Sequence, residues 1–348
     1  MDGIPPIALD AMGGDHAPGE IVAGAVKAVR ERGVPVVLVG APRAVSEALA
    51  AHDAGGEIPI VRAEEAIAMD EGALASLRRP RSSIAIACHL VRRGDASAVV
   101  SAGSTAGVVA TGKLRLRAQP GVLRPAIAVP LPTRPRPTVL LDAGATADVK
   151  PETLVQFAHL GAAYAETALG ATAPRVGLLT IGGEAEKGNK VTKRAHELLG
   201  ADPALDFAGN IEGHDLLSGA VDVIVTDGFT GNVALKTMEG TVRYAFSEMR
   251  DAIAAGTFAR LGALLQRSRM RALRRRLDPE AYGGAVLLGL NGTVVIAHGS
   301  STAEGIAAAC SLAATLARQG TVARVGERVA AASRSHRRRW PANNHEDR

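Results

Sequence analysis

"VDVIVTDGFTGNVALKTMEG" (residues 221–240) changes character twice within one short span. Val221 to Val225 are β-branched and apolar apart from Asp222, the composition of a buried strand. "TDG" breaks that run, and Gly228 frees the backbone for a tight turn. Thr230, Gly231 and Asn232 then open an Ala/Leu-containing helix, with Thr230 the expected N-cap. Strand, glycine turn and helix together make one β–α unit.

The unit recurs along the chain. Strands are predicted at "IPPIALDA" (4–11), "VPVVLVG" (34–40), "EIPIVRA" (57–63), "SAVVSAG" (97–103), "AIAVPLP" (126–132), "TVLLDAG" (138–144) and "RVGLLTI" (175–181). Between them lie the helical segments Gly19–Arg32, Pro42–Ala51, Ser82–Arg93, Pro151–Leu169 and Lys187–Leu199. Alternation of this kind predicts an α/β fold, a three-layer α/β/α sandwich on a mainly parallel sheet. Several strands are apolar on both faces, as a sheet covered by helices on each side requires. Pro130, Pro132, Pro135 and Pro137 forbid a helix in "VPLPTRPRPTVLL" and favour an extended or hairpin-like arm. No internal repeat and no long linker is visible, so residues 1–335 are expected to form one interlocked unit. A basic tail at 336–348 lacks apolar periodicity and is expected to be disordered.

The chain has 348 residues, 47% hydrophobic and only 3% aromatic, so Ala, Val, Leu and Ile must build the core. No apolar run approaches the roughly 20 residues that cross a bilayer, and no secretory pattern opens the chain. Cys88 and Cys310 sit in small apolar contexts, without metal-ligand spacing, which points to buried thiols in a reducing cytoplasm. The net charge of +5 favours acidic partners. Much of the positive charge is local: Arg260, Arg267, Arg269, Arg271, Arg274, Arg275 and Arg276 fall in the stretch 252–278, which has amphipathic helical character before a break near Ser268. Such a segment suits an anionic membrane surface, an acidic partner protein, or a solvated face. Scarce aromatics argue against a nucleic-acid partner, since few bases would find a stacking surface.

Five predicted strands run into glycine-rich polar turns: "DAMGGDHAP" (10–18), "SAGSTAG" (101–107), "DAGATAD" (142–148), "TIGGEAEKGN" (180–189) and "TDGFTGN" (226–232). On one sheet edge they would form an anion-binding cleft, because glycines admit a ligand to the backbone and helix-start N–H groups attract negative charge. Neither a P-loop nor a dinucleotide fingerprint is present. A small oxyanion held by Gly103, Ser104, Thr105 and backbone amides fits better than a nucleotide, and no metal is expected. Asn232 either caps its own helix or offers an amide to a developing oxyanion; Lys187 is either a solvated lysine or the site's positive charge. His298 closes an apolar strand in "VVIAHGSS". With no Ser elbow and no loop cysteine, the bound anion itself would attack an activated carbonyl.

"ALDAMGGDHAP" (8–18), "LRPAIAVPLPT" (123–133), "KGN" (187–189), "GNIEGHD" (209–215), "DGFTGNVALKTMEG" (227–240) and "YGGAVLLGLNGTVVIAHGSS" (282–301) resemble the bacterial phosphate acyltransferases of the PlsX family. The resemblance runs from about Ile7 to Ala330. It implies an isocitrate dehydrogenase- and phosphotransacetylase-like fold, usually homodimeric, without a cofactor. It implies transfer of a fatty acyl group from acyl carrier protein to inorganic phosphate, for phospholipid synthesis, in a cytoplasmic enzyme peripheral to the membrane beside a membrane-bound glycerol-3-phosphate acyltransferase. Lys187 and Asn232 match positions implicated in catalysis or substrate binding. Asn189, Asn210, Thr230, Gly231 and His298 join Gly103, Ser104 and Thr105 as expected phosphate or substrate contacts. Arg260, Arg267, Arg271, Arg274 and Arg275 are the expected membrane or carrier-protein contacts. The chain departs from the family pattern at Ser104, Ala106–Gly107, Thr146 and Gly183. A phosphotransacetylase-like use of acyl-coenzyme A is the rival reading.

Overall fold

A computed structural model of the chain describes residues 3–254, 256, 262–277 and 282–339. Eleven strands form one sheet in the order β3-β2-β1-β4-β11-β10-β5-β6-β9-β7-β8. They are β1 (Ile7–Asp10), β2 (Val36–Gly40), β3 (Ile60–Arg62), β4 (Ala98–Ser101), β5 (Ala126–Leu131), β6 (Thr138–Leu141), β7 (Arg175–Leu179), β8 (Asp206–Ile211), β9 (Val223–Val225), β10 (Ala285–Leu288) and β11 (Thr293–Ile296). Seven of the ten pairings are parallel. The antiparallel ones join β11 to β10, β10 to β5 and β5 to β6.

Those three reversals fix the geometry of the whole molecule. Strands β1 to β4 and β11 run one way; β6, β9, β7 and β8 run the other. The five glycine turns therefore do not share an edge. The turns after β1 and β4 lie on one, and those after β6, β7 and β9 lie on the opposite one. The pattern of strand and turn carries no sign of strand direction, which is why the single-edge expectation fails. The proline-rich stretch is the connection between β5 and β6, an antiparallel hairpin.

Helices α1 (Gly19–Arg32), α2 (Pro42–Ala50), α6 (Pro151–Leu169), α7 (Lys190–Gly200), α10 (Ala303–Arg318) and α11 (Thr321–Arg339) belong with one face of the sheet. α3 (Ala75–Arg78), α4 (Ser83–Arg93) and α5 (Thr105–Arg115) cover the other, with the first turns of α8 (Gly228–Ala254). α9 (Arg267–Leu277) lies in the basic stretch. The sequence explains the helix ends directly. α1 buries Ile21, Val22, Ala25, Val26 and Ala28 along one stripe and stops at Gly33, whose φ of 63° closes the last carbonyls. α6 starts with Pro151 in its first turn, where a missing N–H costs nothing, and ends at Gly170 with φ 66°.

The core contains few aromatics, Phe157 and Tyr164 being the largest fully buried side chains. The apolar segment 282–297 supplies two central strands. Val286, Leu287, Leu288, Val294 and Val295 are buried there by neighbours of the same chain. α11 continues through Arg339, so positions 336–339 are helical, and 340–348 lie outside the described residues.

Candidate functional site

One device appears twice. Leu9-Asp10-Ala11 ends β1 and Leu141-Asp142-Ala143 ends β6; the partner strands β4 and β9 continue as Ser101-Ala-Gly-Ser-Thr105 and Thr226-Asp-Gly-Phe-Thr230. In each half a buried carboxylate organises the turn. Asp10 accepts the Ser101 hydroxyl at 2.7 Å and the Met12 N–H at 3.2 Å. Asp142, fully buried, accepts N–H groups from Ile127, Gly144, Ala145 and Thr146 at 2.7–3.1 Å. Burial pushes both carboxyls above the usual range, against the N–H donors that pull them down. The two carboxylate-bearing strands have different outer neighbours: β1 stands between β2 and β4, whereas β6 stands between β5 and β9.

On the β1/β4/β11 edge, Ser104 caps α5, accepting the Gly107 N–H at 3.3 Å and donating to the Glu71 carbonyl at 3.2 Å. Its hydroxyl is thus committed to the loop rather than offered to a ligand. Gly103 donates its N–H to Ser101 Oγ at 3.1 Å. Thr105 is exposed in the first turn of α5, where N–H groups have no intrahelical acceptor. His298, also exposed, accepts the Ser300 N–H on Nδ1 at 3.3 Å, which leaves Nε2 as the protonated nitrogen of the neutral ring. The Gly299 carbonyl accepts the Asp15 N–H at 2.8 Å, tying this turn to the one after β1.

On the opposite edge, Lys187 and Asn232 belong to connections that leave the adjacent parallel strands β7 and β9. Both are exposed. Among the described residues Lys187 has no ion-pair partner, and its aliphatic stem lies over Gly182. Asn232 is not a helix cap: it stands in the second turn of α8, its side chain across from Gly144 of the β6 turn. The cap is Asp227, which accepts the Thr230 N–H and hydroxyl, each at 2.8 Å, while Gly231 donates to the Asp227 carbonyl. Thr230 is therefore third in the helix, displaced from the expected cap because a carboxylate upstream reaches its N–H.

Three further expected contacts have structural duties. Asn189 caps α7, accepting the Thr192 N–H at 2.9 Å; the helix begins at Lys190, not Lys187, because Gly188 has φ 98°. Asn210 is held between His196 and the Glu184 carbonyl. Gly231 packs against the Asp142 carbonyl, where an added Cβ would come within 2.0 Å. The structure thus brings Lys187, Asn189, Asn210, Thr230, Gly231 and Asn232 to one edge and Gly103, Ser104, Thr105 and His298 to the other. Arg267 and Arg271 are exposed on α9; Arg260 and the side chains of Arg274 and Arg275 lie outside the described residues. Asp227 is the residue that sequence reasoning missed, and its place three before Thr230 was the available signal.

The α/β/α architecture is shared with solved structures. It superposes on a phosphotransacetylase from Streptococcus pyogenes with a TM-score of 0.62 over 91% of this chain and 95% of that one, at 19% identity. A 4-hydroxythreonine-4-phosphate dehydrogenase from Klebsiella pneumoniae shares the fold with a TM-score of 0.56 over 90% of this chain and 99% of that one, at 14% identity. Residues 6–324 match the family model described as "Fatty acid synthesis protein". The phosphate acyltransferase of Thermobifida fusca is 65% identical, covering 90% of this chain and 88% of that protein. That of Heliobacterium modesticaldum is 46% identical, covering 93% and 97%. The chain belongs to the PlsX family of phosphate acyltransferases and is an acyltransferase.

Proposed function

We propose that the chain moves a fatty acyl group from acyl carrier protein to inorganic phosphate, supplying acyl phosphate for phospholipid synthesis. An oxygen of hydrogen phosphate attacks the thioester carbonyl, the C–S bond breaks, and the carrier's thiolate leaves and takes up the proton that the phosphate gives up. Lys187 and backbone amides hold phosphate, and Asn232 stabilises the oxyanion that forms on the carbonyl. The observation that carries this reading is the pairing of an unpartnered lysine and an uncapping asparagine on neighbouring strand ends.

The reading also uses both edges. Sheets twist by roughly 20–25° per strand, so the steps from β4 to β6 accumulate about a quarter turn. Such a twist turns diagonally opposite corners of a sheet toward the same face. The corner carrying Gly103, Thr105 and His298 and the corner carrying Lys187 and Asn232 are diagonal in this sense. Ala143, Ala145 and Leu235 pack in the same hydrophobic cluster as Ile67 and Val108, which supports a shared face. Asp227 disfavours an anion at the start of α8, whereas the first turn of α5 carries no acidic residue. The amides of the first turn of α5 are therefore the ones this reading gives to phosphate.

Incubation with long-chain acyl carrier protein or the matching acyl-coenzyme A, each with phosphate, tests the proposal by mass detection of acyl phosphate. Product from the carrier protein supports it; product from coenzyme A alone moves the chain to the rival donor. Exposed Arg267, Arg271 and Arg276 on α9 support a further role for the basic stretch at an anionic membrane. A homodimer in the cytoplasm, lying against that membrane near a glycerol-3-phosphate acyltransferase, completes the proposal. Changing Arg274, Arg275 and Arg276 to Gln should abolish flotation with anionic liposomes.

A further inference from the structure

We infer that His196 and Asn210 form a positioning pair for Lys187, an inference that rests on the proposed role of that lysine. Lys187 sits at the end of a turn whose first carbonyl, that of Glu184, accepts the Lys187 N–H at 3.0 Å. The same carbonyl accepts Nδ2 of Asn210 at 2.6 Å, from the last part of β8. One oxygen thus ties the turn internally and anchors it to the sheet.

An asparagine amide can present either end to a carbonyl, and only the NH2 end is attractive. His196, on α7, decides which. Its Nδ1 lies 2.9 Å from Asn210 Oδ1, and an amide oxygen only accepts, so Nδ1 carries the proton. With Oδ1 claimed by the imidazole, Nδ2 must face Glu184. The ring is itself fixed edge-on against Phe207 of β8, with centroids 5.1 Å apart and planes at 75°. The chain of contacts runs from Phe207 to His196, to Asn210, to the Glu184 carbonyl, to the Lys187 N–H. The turn needs this external tie. Gly182, Gly183 and Gly188 surround Lys187, and glycines resist ordering more than any other residue.

Nδ1 donates in both the neutral and the charged imidazole, so the brace does not switch with pH. This separates a positioning role from acid–base work by His196.

The pair is tested by steady-state kinetics on the full chain with acyl carrier protein donor and varied phosphate. Asn210→Asp keeps an acceptor for His196 but sets an oxygen against the Glu184 carbonyl. It should lower kcat/KM for phosphate at least about tenfold, the scale of a small displacement of a reacting group. KM for the acyl donor and the thermal midpoint should stay near those of the parent. His196→Phe keeps the ring and loses the donor, and should fall in the same direction. His196→Gln, which still donates, should stay within about threefold of the parent. In a Lys187→Ala background, Asn210→Asp should cost little more, because the lysine it positions is gone. Parent-like kinetics for both Asn210→Asp and His196→Phe, beside a crippled Lys187→Ala, would overturn the pair and leave the function of Lys187 standing. So would an equal further loss in the double variant, which marks a merely structural role. A fully active Lys187→Ala would overturn the pair and the proposed role of the lysine together. If Asn210→Asp does not fold, the contrast between His196→Phe and His196→Gln decides.

Discussion

Gly144 faces Asn232: a Cβ built on the glycine would stand 3.6 Å from the asparagine Cβ, across the gap between the β6 turn and α8. Gly144 has φ 134°, a backbone conformation that L side chains rarely adopt, and its N–H is held by Asp142 Oδ1 at 3.1 Å. Gly144→Ala should therefore cost about 1–3 kcal/mol of stability through strain and shift the loop beneath Asn232. We expect a lower thermal midpoint and a fall in acyl-phosphate formation larger than that fall in stability accounts for.

Lys187→Ala and Asn232→Ala should each reduce acyl-phosphate formation at least tenfold, roughly 1.4 kcal/mol or more of transition-state stabilisation. Neither side chain supports the core, so circular dichroism and melting should match the parent. Their kinetic signatures should differ, Lys187→Ala raising KM for phosphate and Asn232→Ala lowering kcat. Parent-like rates in both variants would remove the pair from the chemistry.

Asp227→Ala removes the cap of α8 and should destabilise the protein by about 0.5–2 kcal/mol. Asp227→Asn, which still accepts the Thr230 N–H, should recover most of that loss. If Asp227 also guards the start of α8 against anions, the alanine variant should show stronger inhibition by sulfate than the parent. Unchanged sulfate sensitivity would confine Asp227 to capping.

The two thiols give a prediction with a defined pH window. Burial pushes Cys88 and Cys310 from 9.0 up to about 12. A group whose folded pKa is raised contributes stability that is present below its unfolded value and lost as pH rises toward the folded one. Stability should thus decline between pH 9 and 12, less steeply in a Cys88→Ala/Cys310→Ala variant once its own baseline is allowed for. At pH 8 the native protein should resist iodoacetamide at both positions and react with it fully in denaturant. Rapid native labelling of either cysteine would contradict the burial.

The residues that carried the fold in the sequence were those with purely local duties. α1 and α6 fall at the expected bounds because Gly33, Gly170 and Pro151 act on their own backbone. The hairpin between β5 and β6 was visible in its prolines. Strand direction was not, since β6 and β4 read alike whichever way they run. β8 escaped notice because "DFAGNI" mixes small, polar and apolar residues without a clean period.

For the site, residue type and role separated. Asn189, Asn210 and Asn232 look equivalent on paper, each an amide beside a glycine turn. One caps α7, one is gripped by His196, and one is exposed with its side chain over Gly144. Only three-dimensional partners distinguish them, because capping, bracing and ligand binding draw on the same donor and acceptor. Thr230 and Asp227 were both legitimate caps, and the choice was made by which oxygen reached the third N–H of the helix.

The β10–β11 hairpin has a consequence for the order of assembly. It fills the gap between β4 and β5, and its two strands follow the other nine in sequence. During synthesis the two wings of the sheet must wait for it, each presenting a raw strand margin of unpaired amides and carbonyls. Closure depends on contacts between segments far apart in sequence, a topology that folds slowly and leaves such margins open to foreign chains. The hairpin acts as a keystone: a ribosome that stalls before delivering it releases two half-sheets inclined to stick to their neighbours.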